Sequence, residues 1–333
     1  MVITKKIALL ALTENGRRLA DKIASSLAGE VFFRRHGLKT TLTRCWQEYD
    51  ALVCIMASGI VVRMLAPLVR DKHTDPAVLV CDEAGRFVIS LLSGHLGGGN
   101  ELAREVARIT GGTPVITTAS DVQGRTALDL LLRDLGIRVE DRAGLTRIMG
   151  RLVNRGWIAI ASDYPLPGLP EDLRPVEGPG QADLYITART AQPGSTLLAH
   201  PPVLAAGIGC NRGTPANEIK TALAEACARH GLALSSVRAL ASIDLKKDEQ
   251  GLLTVARDLD MPIRFYSPEQ LNRVEGVATS AAVLRATGAR GVAEPAAILA
   301  SGGGRLLAAK MKWANVTVAL AEKSSGYWPD PVR

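Results

Sequence analysis

A serine, a histidine, an asparagine and four glycines fall within eight residues, from Ser93 to Asn100. Glycines let a backbone approach a ligand closely, and the free N–H groups at a helix start attract carboxylate or phosphate. We therefore expect an anion-binding loop between a strand that ends at Leu92 and a helix, with His95 as a candidate for proton transfer. The alternative is a glycine-rich turn without a ligand, in which His95 is structural. The residues predicted to bind a ligand here are Ser93, Gly94, Gly97, Gly98 and Asn100.

Two further polar segments follow apolar runs that predict strands. The first is Ser58-Gly59, followed by a helix that carries Arg63, and the second is the hydroxyl-rich run that ends at Asp121. Ligands of open α/β sheets bind beyond the carboxyl ends of the strands, so we expect both segments to line one crevice with the Ser93 loop. Helix capping is the alternative for each. The predicted ligand-binding residues are Ser58, Gly59, Arg63, Thr117, Thr118 and Asp121.

The C-terminal part repeats the pattern of a strand, a glycine-rich bend and a helix. Thr214 is expected to be the N-cap of that helix and Pro215 its first residue, and Arg212 to hold an anion at the helix start. A plain capped turn is the alternative. Lys246 precedes another predicted helix, where a solvated helix start is the alternative reading. The predicted ligand-binding residues are Gly209, Arg212, Gly213, Thr214 and Lys246.

Glu294 is a lone carboxylate in a run of small apolar residues, GVAEPAA. A carboxylate in such surroundings is poorly solvated, which is a property of many catalytic acids and bases. It is therefore the second candidate for catalysis. The alternative is that Pro295 begins a helix and that Glu294 caps it.

Several common sites are missing from the sequence. None of the glycine loops has the spacing G-x-G-x-x-G of dinucleotide-binding folds, and no C-x-x-C or H-x-x-x-H pair suggests a metal site. The nucleophile elbow G-x-S-x-G of α/β-hydrolases is also absent. We expect no cofactor and no metal bound by the protein itself.

Short apolar runs alternate with amphipathic stretches, a pattern typical of sheets covered by helices. The fold class is α/β and multi-domain, with layered sheets. We predict an N-terminal α/β domain at residues 1–136, a small middle module at 137–202, a C-terminal α/β domain at 203–323 and a tail at 324–333. A turn from Cys81 to Gly85 is expected to join two adjacent strands as a hairpin.

Composition narrows the class of protein. The net charge of +7 is modest and comes without basic runs, so acidic small molecules fit better than nucleic acid. Five scattered cysteines indicate reduced thiols and a cytoplasmic location. No apolar stretch approaches the roughly 20 residues of a membrane span.

Six blocks of the sequence resemble the cobalt-precorrin-5A hydrolase (CbiG) family. SGIVVRMLAPLVRDKHTDPAVLVCDEAG, VISLLSGHLGGGNELA and PVITTASD are similar to its N-terminal part, and GIGCNRGTP, ASIDLKKDEQGL and GVAEPAAILASGG to its C-terminal domain. The blocks extend in the family's order from about Ser58 to Gly303, whereas residues 137–202 contribute no motif.

The resemblance implies hydrolysis of a δ-lactone on a cobalt-containing tetrapyrrole, with release of acetaldehyde, in anaerobic cobalamin biosynthesis. Cobalt then belongs to the substrate. Lactone attack needs a base and oxyanion donors, for which His95 and the N–H groups of Gly97 and Gly98 are the candidates, while Glu294 is a second base or assists carbon–carbon cleavage. A non-enzymatic tetrapyrrole carrier and a methyltransferase of the same pathway are the alternatives. Contacts with neighbouring pathway enzymes and homo-oligomer formation stay open.

Overall fold

The computed structural model describes residues 5–33, 37–72, 74–95, 97–166, 168–190 and 196–323, so the predicted tail at 324–333 lies outside the described residues. The chain divides into two compact units, Met1–Leu130 and Leu131–Arg333. Each is built from sheets covered by helices, which confirms the predicted α/β multi-domain class. The boundaries predicted at residues 136 and 202 stay predictions. Among the described residues, no helix is both long and apolar enough to cross a membrane.

The first unit contains a six-stranded sheet in the order β2-β1-β3-β4-β5-β6. Its strands are β1 (Ile7–Ala11), β2 (Glu30–Phe33), β3 (Ala51–Ile55), β4 (Ala77–Cys81), β5 (Phe87–Leu92) and β6 (Thr113–Val115). The helices are α1 (Glu14–Leu27), α2 (Leu38–Glu48), α3 (Ser58–Leu65), α4 (Gly99–Thr110) and α5 (Ala119–Val122), and α6 (Leu128–Asp134) begins in this unit and continues past Leu130. Alternate residues of β1 enter the cores on opposite faces, Leu9 on one and Leu10 on the other, because strand side chains alternate. The sheet is therefore buried on both sides.

Strand direction changes once in this sheet, between β4 and β5. Strands β1 to β4 are mutually parallel, β5 runs antiparallel to β4, and β6 is parallel to β5. The reversal is the predicted hairpin: the Asp82 carboxylate accepts the backbone N–H groups of Ala84 at 2.9 Å and Phe87 at 2.7 Å, and Gly85 has a left-handed φ of 66°. The carboxyl ends of β5 and β6 consequently lie at the same end of the sheet as the amino ends of β1 to β4.

The second unit begins with a layer for which the sequence indicated only a small module. Helix α7 (Arg142–Arg155) accompanies a four-stranded parallel sheet in the order β10-β9-β7-β8. The strands are β7 (Ile158–Ser162), β8 (Leu173–Pro175), β9 (Leu184–Ile186) and β10 (Leu197–Ala199). Three of them have three residues each, too few to show a period. The proline-rich stretch between β7 and β9 contains β8.

A five-stranded sheet in the order β13-β12-β11-β15-β14 completes the second unit. Its strands are β11 (Leu204–Cys210), β12 (Val237–Ile243), β13 (Ile263–Tyr266), β14 (Arg305–Lys312) and β15 (Val316–Glu322). The helices are α8 (Ala216–Arg229), α9 (Gln250–Asp258), α10 (Pro268–Asn272), α11 (Ala281–Thr287) and α12 (Ala293–Ala300). Helix α12 lies directly on β11 at Gly207, where a Cβ atom would be 1.8 Å from the Ala293 carbonyl oxygen.

This close contact gives a stability prediction. Gly207→Ala forces the backbone of α12 away from β11, and overpacking of this kind costs about 3 kcal/mol or more. Gly150→Ala is the matched control, because Gly150 lies inside α7 with no atom near its Cβ position, and the same substitution there should stabilise by about 0.4–1 kcal/mol. Chemical denaturation of both variants measures the difference. Equal stabilities would contradict the close packing of α12.

Candidate functional site

The Ser93 loop connects β5 to α4 as predicted, but it closes on itself. The N–H of Gly98 donates to the His95 carbonyl at 2.7 Å, that of Gly99 to Ser93 at 3.1 Å, and that of Asn100 to Gly94 at 2.8 Å. The expectation of an open anion cradle is therefore wrong for these three N–H groups, and Gly98 is not free to be an oxyanion donor. The carbonyl of Gly97 accepts a hydrogen bond from the Lys5 ammonium.

Close packing explains part of the glycine content of this loop. A Cβ atom on Gly94 would lie 2.5 Å from Asn100 Oδ1, and one on Gly97 would lie 2.5 Å from the Ser93 carbonyl oxygen. Ser93 itself has a left-handed φ of 54°, which is unusual for a residue with a side chain. Its hydroxyl donates to the Asp75 carbonyl at 3.0 Å and thereby fixes the loop next to the start of β4.

His95 projects from this loop into a cluster of acidic and polar side chains. Its Nε2 lies 2.8 Å from Asp121 Oδ2 and 3.2 Å from Ser120 Oγ, and its Nδ1 lies 3.6 Å from Asp129 Oδ1. The histidine side chain is 13% exposed, and those of Asp121 and Asp129 are 18% and 10% exposed. Both ring nitrogens therefore face a carboxylate in a largely dehydrated place.

The neighbours of this cluster set its charge. The Asp129 carboxylate, together with that of Asp121, raises the pKa of His95 and outweighs burial, which lowers it. Burial is the largest single influence and raises the pKa of Asp121 and of Asp129. The interactions with His95, together with those of Arg104 for Asp121 and of backbone N–H groups for Asp129, outweigh burial, and both pKa values lie below the ordinary range. The arrangement favours an imidazolium between two carboxylates.

A second layer of side chains fixes Asp121. The Asn100 amide donates to Asp121 Oδ2 at 2.9 Å and to Thr118 Oγ1 at 3.2 Å, and the Arg104 guanidinium binds the other carboxylate oxygen. Thr118 is the N-cap position of α5 but makes no capping hydrogen bond, so the capping alternative is wrong for it. The structure thus joins His95, Asn100, Thr118 and Asp121, as predicted, whereas Thr117 is exposed beside them.

Two members of the cluster, Arg104 and Asp129, were not predicted, and Ser120 belongs to the predicted hydroxyl-rich run without having been singled out as a ligand-binding residue. Arg104 looks like an ordinary polar residue of an amphipathic helix, and Ser120 like one hydroxyl among several. Asp129 lies in the first turn of α6, where acidic residues are common for dipole reasons alone. The sequence signal that could have found them is their place on the helices that follow β5 and β6.

Ser58, Gly59 and Arg63 do not share a crevice with the Ser93 loop. They begin helix α3 after the carboxyl end of β3, whereas Ser93 and Thr117 follow strands that run the other way. The expectation of one crevice is wrong because it did not take into account that the predicted hairpin reverses the direction of β5 and β6. Ser58 is also no cap, since Ala57 is the N-cap residue of α3 and Ser58 its first helical residue. The Arg63 guanidinium lies over Gly59.

The predicted C-terminal residues do come together, at the carboxyl ends of β11 and β12. Arg212 pairs with Asp248 at 2.9 Å, the Gly213 N–H donates to Glu249 Oε1 at 2.8 Å, and Lys246 lies 3.4 Å from Glu249 Oε2. The groups that were expected to bind an anion are thus paired with carboxylates of the protein itself.

Two predicted details of this loop are corrected by the structure. Thr214 is not the N-cap of α8, because Pro215 takes that position and the Thr214 hydroxyl donates to the Asn211 carbonyl at 2.8 Å. Gly209 is the penultimate residue of β11 and pairs with Thr317 of β15, and a Cβ atom there would lie 2.6 Å from Thr317 Oγ1. Close packing therefore explains this glycine without a ligand.

Glu294 lies in the first turn of α12, which begins at Ala293. The expected helix start at Pro295 is wrong, and so is the N-cap alternative for Glu294. Its Oε1 accepts the backbone N–H of Lys310 at 2.8 Å and so links α12 to β14. Glu294 belongs to the second unit and His95 to the first, and the catalytic role of each stays a prediction.

The His95 cluster predicts a pH dependence of stability. Because the folded-state pKa of His95 is raised, its contribution is complete below the unfolded value of about 6.5 and is lost as pH rises through the folded-state pKa. His95→Gln should therefore lower the thermal midpoint more at about pH 6 than at about pH 9. The exposed His230 provides the control, His230→Gln, with no such trend expected. A cost for His95→Gln that grows with pH would contradict the ion pairing.

Comparisons with known proteins cover nearly the whole chain. Successive segments match three family models: cobalamin synthesis G N-terminal at residues 40–121, the cobalamin biosynthesis central region at 126–201 and the cobalamin synthesis G C-terminus at 204–321. The central match includes the segment in which the sequence analysis found no motif.

Individual relatives agree with these matches. A cobalt-precorrin-5A hydrolase from Priestia megaterium is 40% identical over 85% of this chain and 81% of its own length. Another from Salmonella typhimurium is 35% identical over 95% and 97%. The crystal structure of a cobalamin biosynthesis protein G homologue from Sulfolobus solfataricus aligns with 96% of this chain and 97% of its own, at 21% identity and a TM-score of 0.38. The family models and the two hydrolases together show that this chain belongs to the cobalamin synthesis G family.

Proposed function

We propose that this chain is a cobalt-precorrin-5A hydrolase that opens the δ-lactone of a cobalt-containing tetrapyrrole and releases acetaldehyde, in anaerobic cobalamin biosynthesis. The observation that carries the proposal is 40% identity to a named hydrolase over 85% of the chain. The matches to the N-terminal, central and C-terminal family models support the same activity. Cobalt enters and leaves as part of the substrate.

The reaction needs proton transfer as well as binding of a polyanion. Water adds to the lactone carbonyl carbon, the bond to the ring oxygen breaks, and that oxygen takes a proton. His95 is the titratable group that we assign to this proton transfer. Asn100, Thr118 and Asp121 fix the histidine, and Ser93, Gly94 and Gly97 form the loop that carries it.

Two features support the His95 cluster as the reaction site. It lies at the carboxyl ends of β5 and β6, the end of a strand pair where α/β proteins bind ligands. It also combines perturbed pKa values with low exposure, a combination enriched at functional sites. A purely structural ion-pair network would have the same features, so activity must separate the two roles.

Acetaldehyde release is the direct test of the function. Wild-type protein supplied with cobalt-precorrin-5A should release acetaldehyde in proportion to lactone consumed, and His95→Ala should lower turnover by at least about tenfold, at the low end of acid–base contributions. His230→Ala, at an exposed position, should match the wild type.

One outcome would contradict the proposed function, and another would contradict only the role of His95. Tight binding of the tetrapyrrole without acetaldehyde would identify a carrier instead of an enzyme. Near-normal turnover by a folded His95→Ala variant would leave the function intact but remove His95 from the reaction.

The C-terminal cluster is proposed to bind substrate carboxylates through Arg212 and Lys246. The side chains of Arg212 and Asp248 are 65% and 62% exposed, and an ion pair in that situation is weak enough to exchange for a ligand. Substrate carboxylates would then replace Asp248 as the partner of Arg212.

This exchange predicts opposite effects from the two partners. Arg212→Ala should raise KM by up to about fivefold with little change in kcat, because a uniform binding contact is lost. Asp248→Asn should lower KM, since it removes the internal competitor. Steady-state kinetics of both variants measure the effects, and an unchanged KM in both would exclude this contact.

A further inference from the structure

The charged groups around His95 come from three helices. Asp121 of α5 faces Nε2 and Asp129 of α6 faces Nδ1, and Arg104 of α4 binds the far oxygen of Asp121. The Lys5 ammonium binds the same loop at Gly97. Asp129 Oδ1 also accepts the N–H of Leu130 at 3.0 Å, and its side chain is only 10% exposed.

A neutral imidazole fits these surroundings poorly. It has one N–H and one lone pair, so one of the two carboxylates would face a lone pair at close range. The imidazolium has an N–H for each carboxylate. Asp121 is already partly neutralised by the Arg104 guanidinium, whereas Asp129 accepts the uncharged backbone N–H groups of Leu130 and of Asp129 itself and has His95 as its cationic neighbour. The charge state of His95 is therefore most sensitive to Asp129.

We infer that Asp129 is a positioning residue that holds His95 as an imidazolium, so that His95 gives a proton to the reacting group instead of accepting one. This inference rests on the proposed function for its chemical step, but its charge assignment does not. It reverses the direction of proton transfer expected from the sequence, where His95 was the candidate base.

The step balances as follows for the lactone. A water oxygen forms a bond to the carbonyl carbon, the bond from that carbon to the ring oxygen breaks, and the electron pair stays on the ring oxygen. The imidazolium proton moves to that oxygen and leaves a hydroxyl group, with Ser120 Oγ, 3.2 Å from Nε2, as the nearest hydroxyl that could relay it. The proton that the attacking water gives up restores the imidazolium through solvent.

The charge assignment is tested by titrating the imidazole of His95 in the full-length protein by NMR, without substrate. Wild-type His95 should titrate above about 6.5, and Asp129→Asn should lower this value by at least about one pH unit. Asp134→Asn is the matched control, because Asp134 lies on the same helix, pairs with Arg133 at 2.9 Å and is exposed. It should leave the titration unchanged.

The direction of proton transfer is tested by the pH profile of kcat. If His95 is the donor, wild-type activity is constant at low pH and falls as pH rises through the value measured by NMR. Asp129→Asn should move that fall to lower pH, so its loss of activity is about tenfold or more at about pH 8 and small at about pH 6. Asp129→Glu should recover most of the loss, which a change in packing alone would not predict.

Three results would overturn the inference. Wild-type His95 titrating at or below about 6.5 would exclude the imidazolium, even if Asp129→Asn failed to fold. An unchanged titration in folded Asp129→Asn would exclude the role of Asp129. Activity that rises with pH through the His95 titration would make His95 a base. Absence of acetaldehyde from wild-type protein would refute the proposed function but leave the NMR result valid.

Discussion

The reversal of the chain between β4 and β5 determines where the candidate site of the first unit can form. Because β5 and β6 run against the other four strands, the loops that follow them lie at the amino ends of β1 to β4. The chain enters β1 at this end of the sheet, so the Lys5 ammonium reaches the Gly97 carbonyl. The chain also enters β4 there, so the Ser93 hydroxyl reaches the Asp75 carbonyl. A turn of a few residues thus brings together segments that are about 90 positions apart in the chain. A fully parallel sheet would have put His95 beside Ser58 instead.

The second constraint is the burial of charge at this edge. A carboxylate removed from water is stable only with cations or several donors around it, and Asp121 has Asn100, Arg104 and His95 as donors. The histidine in turn needs both carboxylates to stay charged. Removal of one charged member leaves its partner's buried charge without compensation, so the cluster behaves as a unit and single substitutions should not be additive.

The sequence predicted long elements well and short or contact-dependent ones poorly. The apolar runs from Ala77 to Cys81, from Phe87 to Leu92 and from Ile263 to Tyr266 each lie between clear turn signals and predict strands. Strands β4, β5 and β13 have these bounds. Strands β8, β9 and β10 have only three residues each, too few for a periodic pattern in the sequence. They form strands because they pair with neighbouring strands in the sheet.

The candidate site likewise has features that depend on local sequence and were predicted, and features that depend on tertiary contacts and were not. The Ser93 loop was found from its composition, which is local, whereas Asp129 became part of the site only because α6 packs beside that loop. The hairpin at Asp82 was predicted, yet its consequence for Ser58 was missed, because direction in a sheet is a property of all strands together.

The His95 cluster and the Arg212 cluster differ in solvent exposure. In both, groups that were predicted to bind a ligand are paired with carboxylates of the protein itself. In the second unit, Arg212 and Asp248 are mostly in solvent, where water replaces a lost partner at little cost, so a substrate carboxylate can take the place of Asp248. In the first unit, the side chains of His95 and Asp129 are largely buried. An incoming carboxylate would have to displace Asp129 from His95, and water could not solvate the displaced carboxylate there. The exposed cluster therefore suits reversible binding of the substrate's acidic side chains. The covered cluster instead suits a charged group that stays in place while its proton is transferred.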